Sequence, residues 1–195
     1  MAADERFDRA IAAIDAANAE DPTTVTIRGR TGPKEALHAE LVSAWVDRLA
    51  PDASEALRLA ARAHHLRRWT SPRSSAPAGR AGYLRWRKAL HEQHAADLGA
   101  ILTDAGYAAP TVTRAQAIVR KEGLARDPEV QALEDALCLV FLETQFADVA
   151  ARLEPETLER VVRKTAAKMS DAGRAAIGDV PMDDDARAIL ERALA

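Results

Sequence analysis

His64 and His65 stand side by side in the run RAHHLRRW (62–69). Imidazoles offer lone pairs to metals and move protons near neutral pH. All five histidines of the chain, His38, His64, His65, His91 and His94, fall between positions 38 and 94. On helical faces, His38 lines up with Leu41, Val42, Trp45 and Leu49, and His64 and His65 continue the stripe of Leu57, Ala60 and Ala61. His94 falls with Leu90, Leu98, Ile101 and Leu102, whereas His91 neighbours Arg87, Lys88 and Ala95 and is expected to face a polar cleft or solvent. Asp135 shares its face with Cys138, Leu139, Leu142 and Phe146, and Glu134 shares one with Leu137, Cys138 and Phe141. A carboxylate facing a core needs a cation, an arginine or hydrogen-bond donors. Neutral imidazoles with one carboxylate suit one divalent transition metal: Zn, Mn, Fe or Co. The competing reading makes each histidine a hydrogen-bonded core residue and pairs Asp135 with an arginine.

Charge adds a second kind of chemistry. The net charge is −3, yet no acidic residue occurs between Glu55 and Glu92. That interval holds Arg58, Arg62, Arg67, Arg68, Arg73, Arg80, Arg85, Arg87 and Lys88, nine of the 27 basic residues. A basic block in an otherwise acidic chain predicts an anion site, unless acids from elsewhere in the fold pair with it. Paired guanidinium donors suit phosphate. Arg67, Arg68, Arg73, Arg80, Arg85 and Arg87 are the candidates, with Arg68, Arg73 and Arg80 favoured beside a loop at 70–82. Trp69, Tyr83 and Trp86 are placed to stack on a base.

These residues need helices to position them. The chain has 195 residues, 48% hydrophobic but only 4% aromatic, and alanine supplies much of the apolar count. Such a composition predicts one all-α domain, a bundle of seven or eight helices. Helices are expected at about 4–19, 33–49, 51–69 and 83–104. A fifth runs from Pro110 to Gly123, and a sixth of two dozen residues follows the Asp127–Pro128 cap. Two more are expected at about 155–171 and 184–194. TTVTIRGR (23–30) is the one β-like run, closed by turn residues in RTGPK. The metal and anion site is expected within 38–143. Cys138 is the single cysteine, so no internal disulfide forms. No apolar run reaches a membrane span, and the charged MAADERFDRA start does not read as a signal peptide. A cytoplasmic protein is expected, of unknown oligomeric state.

The order of these residues resembles the HD-domain superfamily, named for a His-Asp pair. Its all-helical members bind metal and mostly hydrolyse phosphate esters. The resemblance puts the first ligand at His38, the pair at His64 and His65, and a further match at HAADLGAILTDAGY from His94. LEDALCLVFLE closes it, with Asp135 as the last ligand. The chain departs from that pattern at His65, where the aspartate of the pair would stand. An imidazole does not bridge two ions as a carboxylate does. The resemblance therefore implies one ion, held by His38, His64 or His65, and Asp135. The whole chain also resembles the uncharacterised domain-of-unknown-function family 4202, through HLRRWTSPRS, GRAGYLRWR and LEDALCLVFLE. That likeness implies no activity.

The expected function is hydrolysis of a phosphorylated small molecule, with a nucleotide as one form of it. In this reading Glu134 or His91 acts as acid or base, and the phosphate is held by residues among Arg67, Arg68, Arg73, Arg80, Tyr83 and Arg87. Two rivals stand beside it: an anion- or RNA-binding module without chemistry, and an iron oxygenase of the HD type, which His65 disfavours. An overall pI of about 6.0 argues against a broad nucleic-acid surface.

Overall fold

The computed structural model describes residues 3–194. Ten α-helices, three short 3₁₀ helices (Arg68–Thr70, Arg73–Ser75 and Ala176–Asp179) and one β-hairpin make up the regular structure among them. The helices are α1 (Ala3–Ala19), α2 (Lys34–Leu49), α3 (Glu55–Arg62), α4 (Gly79–Asp104), α5 (Ala109–Val119) and α6 (Pro128–Thr144). Then come α7 (Phe146–Ala150), α8 (Pro155–Ala166), α9 (Asp171–Ala175) and α10 (Asp184–Leu194). The expectation of an all-α, single-domain helical fold holds. The expected sixth helix is split into α6 and α7, and the helix expected at about 155–171 stops at Ala166, with α9 a separate short helix after it.

Local chemistry sets most of the boundaries. The Ser54 hydroxyl accepts from the Leu57 amide at 3.2 Å and caps α3. Asp127 accepts from the amides of Glu129 and Val130 at 3.0 and 3.3 Å, with Pro128 in the first turn of α6. α6 stops at Gln145, whose φ of −132° leaves the helix. The β-like run folds differently from its expectation. Its turn is Arg28–Gly29, both at positive φ, so RTGP is the second strand rather than the stop. A two-residue turn of that kind matches the twist of the strands β1 (Thr24–Ile27) and β2 (Arg30–Pro33).

The third helix also ends earlier than periodicity predicts, at Arg62 instead of Trp69. Its last carbonyls are taken by side chains. His64 Nδ1 donates to the Ala61 carbonyl at 2.9 Å, and Asn18 Nδ2 donates to that of Arg62 at 3.3 Å. Side chains that bond the backbone locally compete with the next helical turn. The chain then turns through residues 63–67, and Arg67 adopts a left-handed φ of 53°.

The core joins α2, α3, α4, α5 and α6 through Val42, Leu57, Leu98, Ile118 and Leu139, all without solvent exposure. No helix among the described residues is long and apolar enough to cross a membrane.

Gly82 lets the loop before α4 fold back on its own helix. A Cβ there would overlap the Pro77 backbone carbonyl. Gly82→Ala is therefore expected to cost about 1–3 kcal/mol by overpacking. It should also expose residues 71–78 to protease. Thermal unfolding and limited trypsin digestion would read both effects.

Candidate functional site

Three elements bring the imidazoles together. The turn after α3 carries His64 and His65, α4 carries His91 and His94, and α2 carries His38 together with Glu35. The start of α2 is fixed by Asp21, whose carboxylate accepts from the amides of Thr23 at 2.9 Å and Glu35 at 3.1 Å. His38, His64, His94 and Glu35 are buried, while His65 keeps 32% of its side chain exposed. Ring centroids lie 4.3 Å apart for His64 and His65, and 5.8 Å apart for His65 and His94.

Each of these three rings has its Nδ1 engaged. His64 Nδ1 meets the Ala61 carbonyl at 2.9 Å, and His94 Nδ1 meets the Leu66 carbonyl at 2.7 Å. His65 Nδ1 meets Glu35 Oε2 at 3.1 Å. Carbonyls and carboxylates accept, so the protons sit on Nδ1 and the lone pairs on Nε2. His94 Nε2 is buried with no hydrogen-bond partner. Metal-binding histidines are held in this way, by an acceptor behind Nδ1. One ligand atom each from Glu35, His64 and His65 lies within 4.8 Å of the others.

Burial keeps the rings neutral. It lowers His38 and pushes His64 and His65 well below the ordinary histidine value, helped by His65 in the first case and Arg68 in the second. His91 falls to about 4 through burial and then the nearby Lys121. His94 also falls to about 4 through burial, opposed by its bond to Leu66.

The rings open into a cavity of about 70 Å³ that is partly open to solvent. His64, His65, His91 and His94 line it beside the cations Arg68, Arg87 and Lys121. No carboxylate is in the lining. Leu90, Leu133 and Leu137 supply apolar wall, and Tyr83 and Trp86 stand on the α4 side. The Arg68 guanidinium lies 5.3 Å from the Trp86 ring, and Trp86 Nε1 donates to the Ser71 carbonyl at 3.0 Å. Lys121, at a left-handed φ of 62°, is ion-paired with the buried Glu134, which Lys168 also approaches at 3.7 Å.

Several expected site residues lie elsewhere. Asp135 is buried, but the structure does not bring it to the histidines. Its Oδ1 accepts from Gln131 Nε2 and the Ser170 amide, both at 2.9 Å, and its Oδ2 accepts from Ser170 Oγ at 2.5 Å. On α6 it sits about 160° around from Leu133 and Leu137, which face the cavity. Arg67, Arg73 and Arg80 do not line the cavity either. Arg67 approaches Asp97 at 3.8 Å, while Arg73 clamps the loop by donating to the carbonyls of Ala76 and Pro77 at 2.9 and 3.0 Å. Arg80 is exposed on the first turn of α4. Arg68, Arg87, Tyr83 and His91 do line it.

Of the nine basic residues in the acid-free interval, Arg58, Arg62 and Arg67 pair with carboxylates. Among the described residues, the other six have no carboxylate ion pair. Sequence reasoning missed Glu35 and Lys121. Glu35 lies three residues before His38 on the same face of α2, a spacing that carried its own signal. Lys121 follows α5 in a turn and gave none.

A family model described as a domain of unknown function (DUF4202) matches residues 8–190. No curated protein and no solved structure gives a significant match.

Proposed function

The chain belongs to the DUF4202 family, and we propose that it is a metal-dependent hydrolase of a phosphorylated small molecule. One observation carries this reading. His64, His65 and His94 line a cavity whose charged lining groups are all cations, and the buried Glu35 behind them brings one ligand atom within 4.8 Å of one each from His64 and His65. The donor set of imidazole nitrogen and carboxylate oxygen fits Zn, Mn, Fe or Co, and the unpartnered His94 Nε2 fits a site built for a further ligand.

Glu35, His64 and His65 would hold the ion, which would take the place of the proton between His65 Nδ1 and Glu35, with His94 Nε2 and His38 next to them. A bound ion there supplies a Lewis acid for a phosphoryl oxygen and lowers the pKa of its water toward ~7. Arg68, Arg87 and Lys121 bind and neutralise the phosphate. Neutral His91 accepts a proton at the cavity wall. Glu134 positions Lys121 through their ion pair. The HD likeness enters through His38 and the His64–His65 pair, with Glu35 replacing Asp135 as the carboxylate.

The test is metal content and phosphatase activity together. Protein stripped by chelator should take up one divalent ion per chain and recover hydrolysis of p-nitrophenyl phosphate. Glu35→Ala and His64→Ala should each weaken metal binding by roughly 10–100-fold. Hydrolysis that survives chelator and both substitutions overturns the proposal. Phosphate binding without metal uptake or turnover would support the rival reading, an anion-binding module, which the all-cation lining also fits.

A further inference from the structure

The face of α4 that enters the cavity continues beyond it. His94, His91, Arg87, Tyr83 and Arg80 follow one another at spacings of three or four residues within one unbroken helix. His94 is 1% exposed at the deep end, and Arg80 is exposed at the other. The rise between them is about 21 Å, and that between Arg87 and Arg80 is about 10 Å. A small phosphate needs only the deep end of this row.

Tyr83 stands between the two arginines and is 41% exposed, although it is a large ring. Its ring lies 6.0 Å from that of Trp86 at 37°, and the Arg73 and Arg87 guanidinium groups both lie 5.9 Å from it. Arg80 has no carboxylate partner among the described residues, and neither do Arg85 and Lys88 on its flank. The row therefore runs from the cation-lined cavity to an exposed aromatic ring and then to an exposed arginine with no carboxylate partner among the described residues. Stacking rings between backbone-tracking cations are how single strands of nucleic acid are held.

Resting on the anion pocket of the function proposed above, we infer that the ligand is the phosphorylated end of a single-stranded nucleic acid. The terminal phosphate lies among Arg68, Arg87 and Lys121, the first base stacks on Tyr83, and the next phosphate meets Arg80. A mononucleotide would leave Arg80 unused. A membrane surface would leave the deep pocket unused.

Fluorescence anisotropy with trinucleotides carrying a hydrolysis-resistant thiophosphate at the 5′ or the 3′ end tests this. One of them should bind at least tenfold tighter than the matching thiophosphorylated mononucleoside and than a trinucleotide with hydroxyl ends. Tyr83→Ala should weaken trinucleotide binding by roughly tenfold. Arg80→Ala should weaken it too and lower the salt slope by about one charge. Both side chains are exposed, so the fold should tolerate either change. Arg80→Ala, outside the cavity lining, should not alter competition by inorganic phosphate. Equal affinity for trinucleotide and mononucleoside, or indifference to Arg80→Ala, overturns the inference. So does tight binding of strands without a terminal phosphate. Loss of inorganic phosphate binding in Arg68→Ala would uphold the anion pocket on its own, so failure of the strand-end inference is separable from failure of the function.

Discussion

Asp135→Ala is expected to destabilise the fold by about 3 kcal/mol and to leave metal uptake unchanged. The carboxylate accepts three hydrogen bonds, from Gln131 Nε2, the Ser170 amide and Ser170 Oγ. Bonds to a charged acceptor contribute about 1.5–3 kcal/mol each, and donors left buried without a partner add a further penalty. Gln131 also donates to the Lys168 carbonyl at 2.8 Å, and Ser170 Oγ accepts from the Gly173 amide at 3.0 Å to cap α9. Asp135 thus fastens the segment after α8 onto α6. Gly173 lies so close that a Cβ on it would come within 2.5 Å of the Asp135 carboxyl carbon, so Gly173→Ala should resemble Asp135→Ala. Urea unfolding gives the stability, and metal stoichiometry gives the contrast. A ligand role for Asp135 would instead appear as lost metal at nearly unchanged stability.

Asp135 also shows where the sequence was informative. Its burial followed from helical phase, because Cys138, Leu139 and Leu142 share its side of α6. Its partner did not, since Ser170 lies thirty-five residues away and only the packed chain brings the two together. Caps are local: Ser54 and Asp127 act within three residues of themselves, and α6 starts at Pro128 as expected, whereas α3 starts at Glu55, four residues later than expected. The end of α3 was hidden because a histidine ring, and no glycine or proline, terminates it. His64 and His65 therefore reach the site from a turn, although the phases assigned to them assumed a helix. The acid-free interval was a sound pointer to the cavity, through Arg68 and Arg87. It could not separate these from Arg73, whose guanidinium is used up on loop carbonyls.

Metal-free protein is expected to lose several kcal/mol of stability between pH 6.5 and 4. His91 and His94 each titrate near 4 in the folded chain, against 6.5 ordinarily. Between those values the unfolded chain holds more protons than the native one, so stability rises with pH. The contribution is full above pH 6.5 and is lost as pH falls through 4, about 3 kcal/mol for the buried His94 and less for the half-buried His91, where solvent screens the charge. His38, His64 and His65 are lowered as well and act with the same sign. Asp127, held down to about 2 chiefly by its bond to Arg114, gives way only below this window. Urea midpoints measured across pH 4–7 in chelator should therefore slope steeply, and His94→Gln should flatten the slope by about one proton. A flat profile would mean that the rings are hydrated enough to charge freely. Zinc on the imidazole lone pairs competes with these same protons and should move the acid limb to lower pH. Proton linkage thus distinguishes a ring that holds the ion from one that is merely buried. His64→Ala should abolish the zinc-dependent displacement, whereas Asp135→Ala should lower the whole curve and keep it.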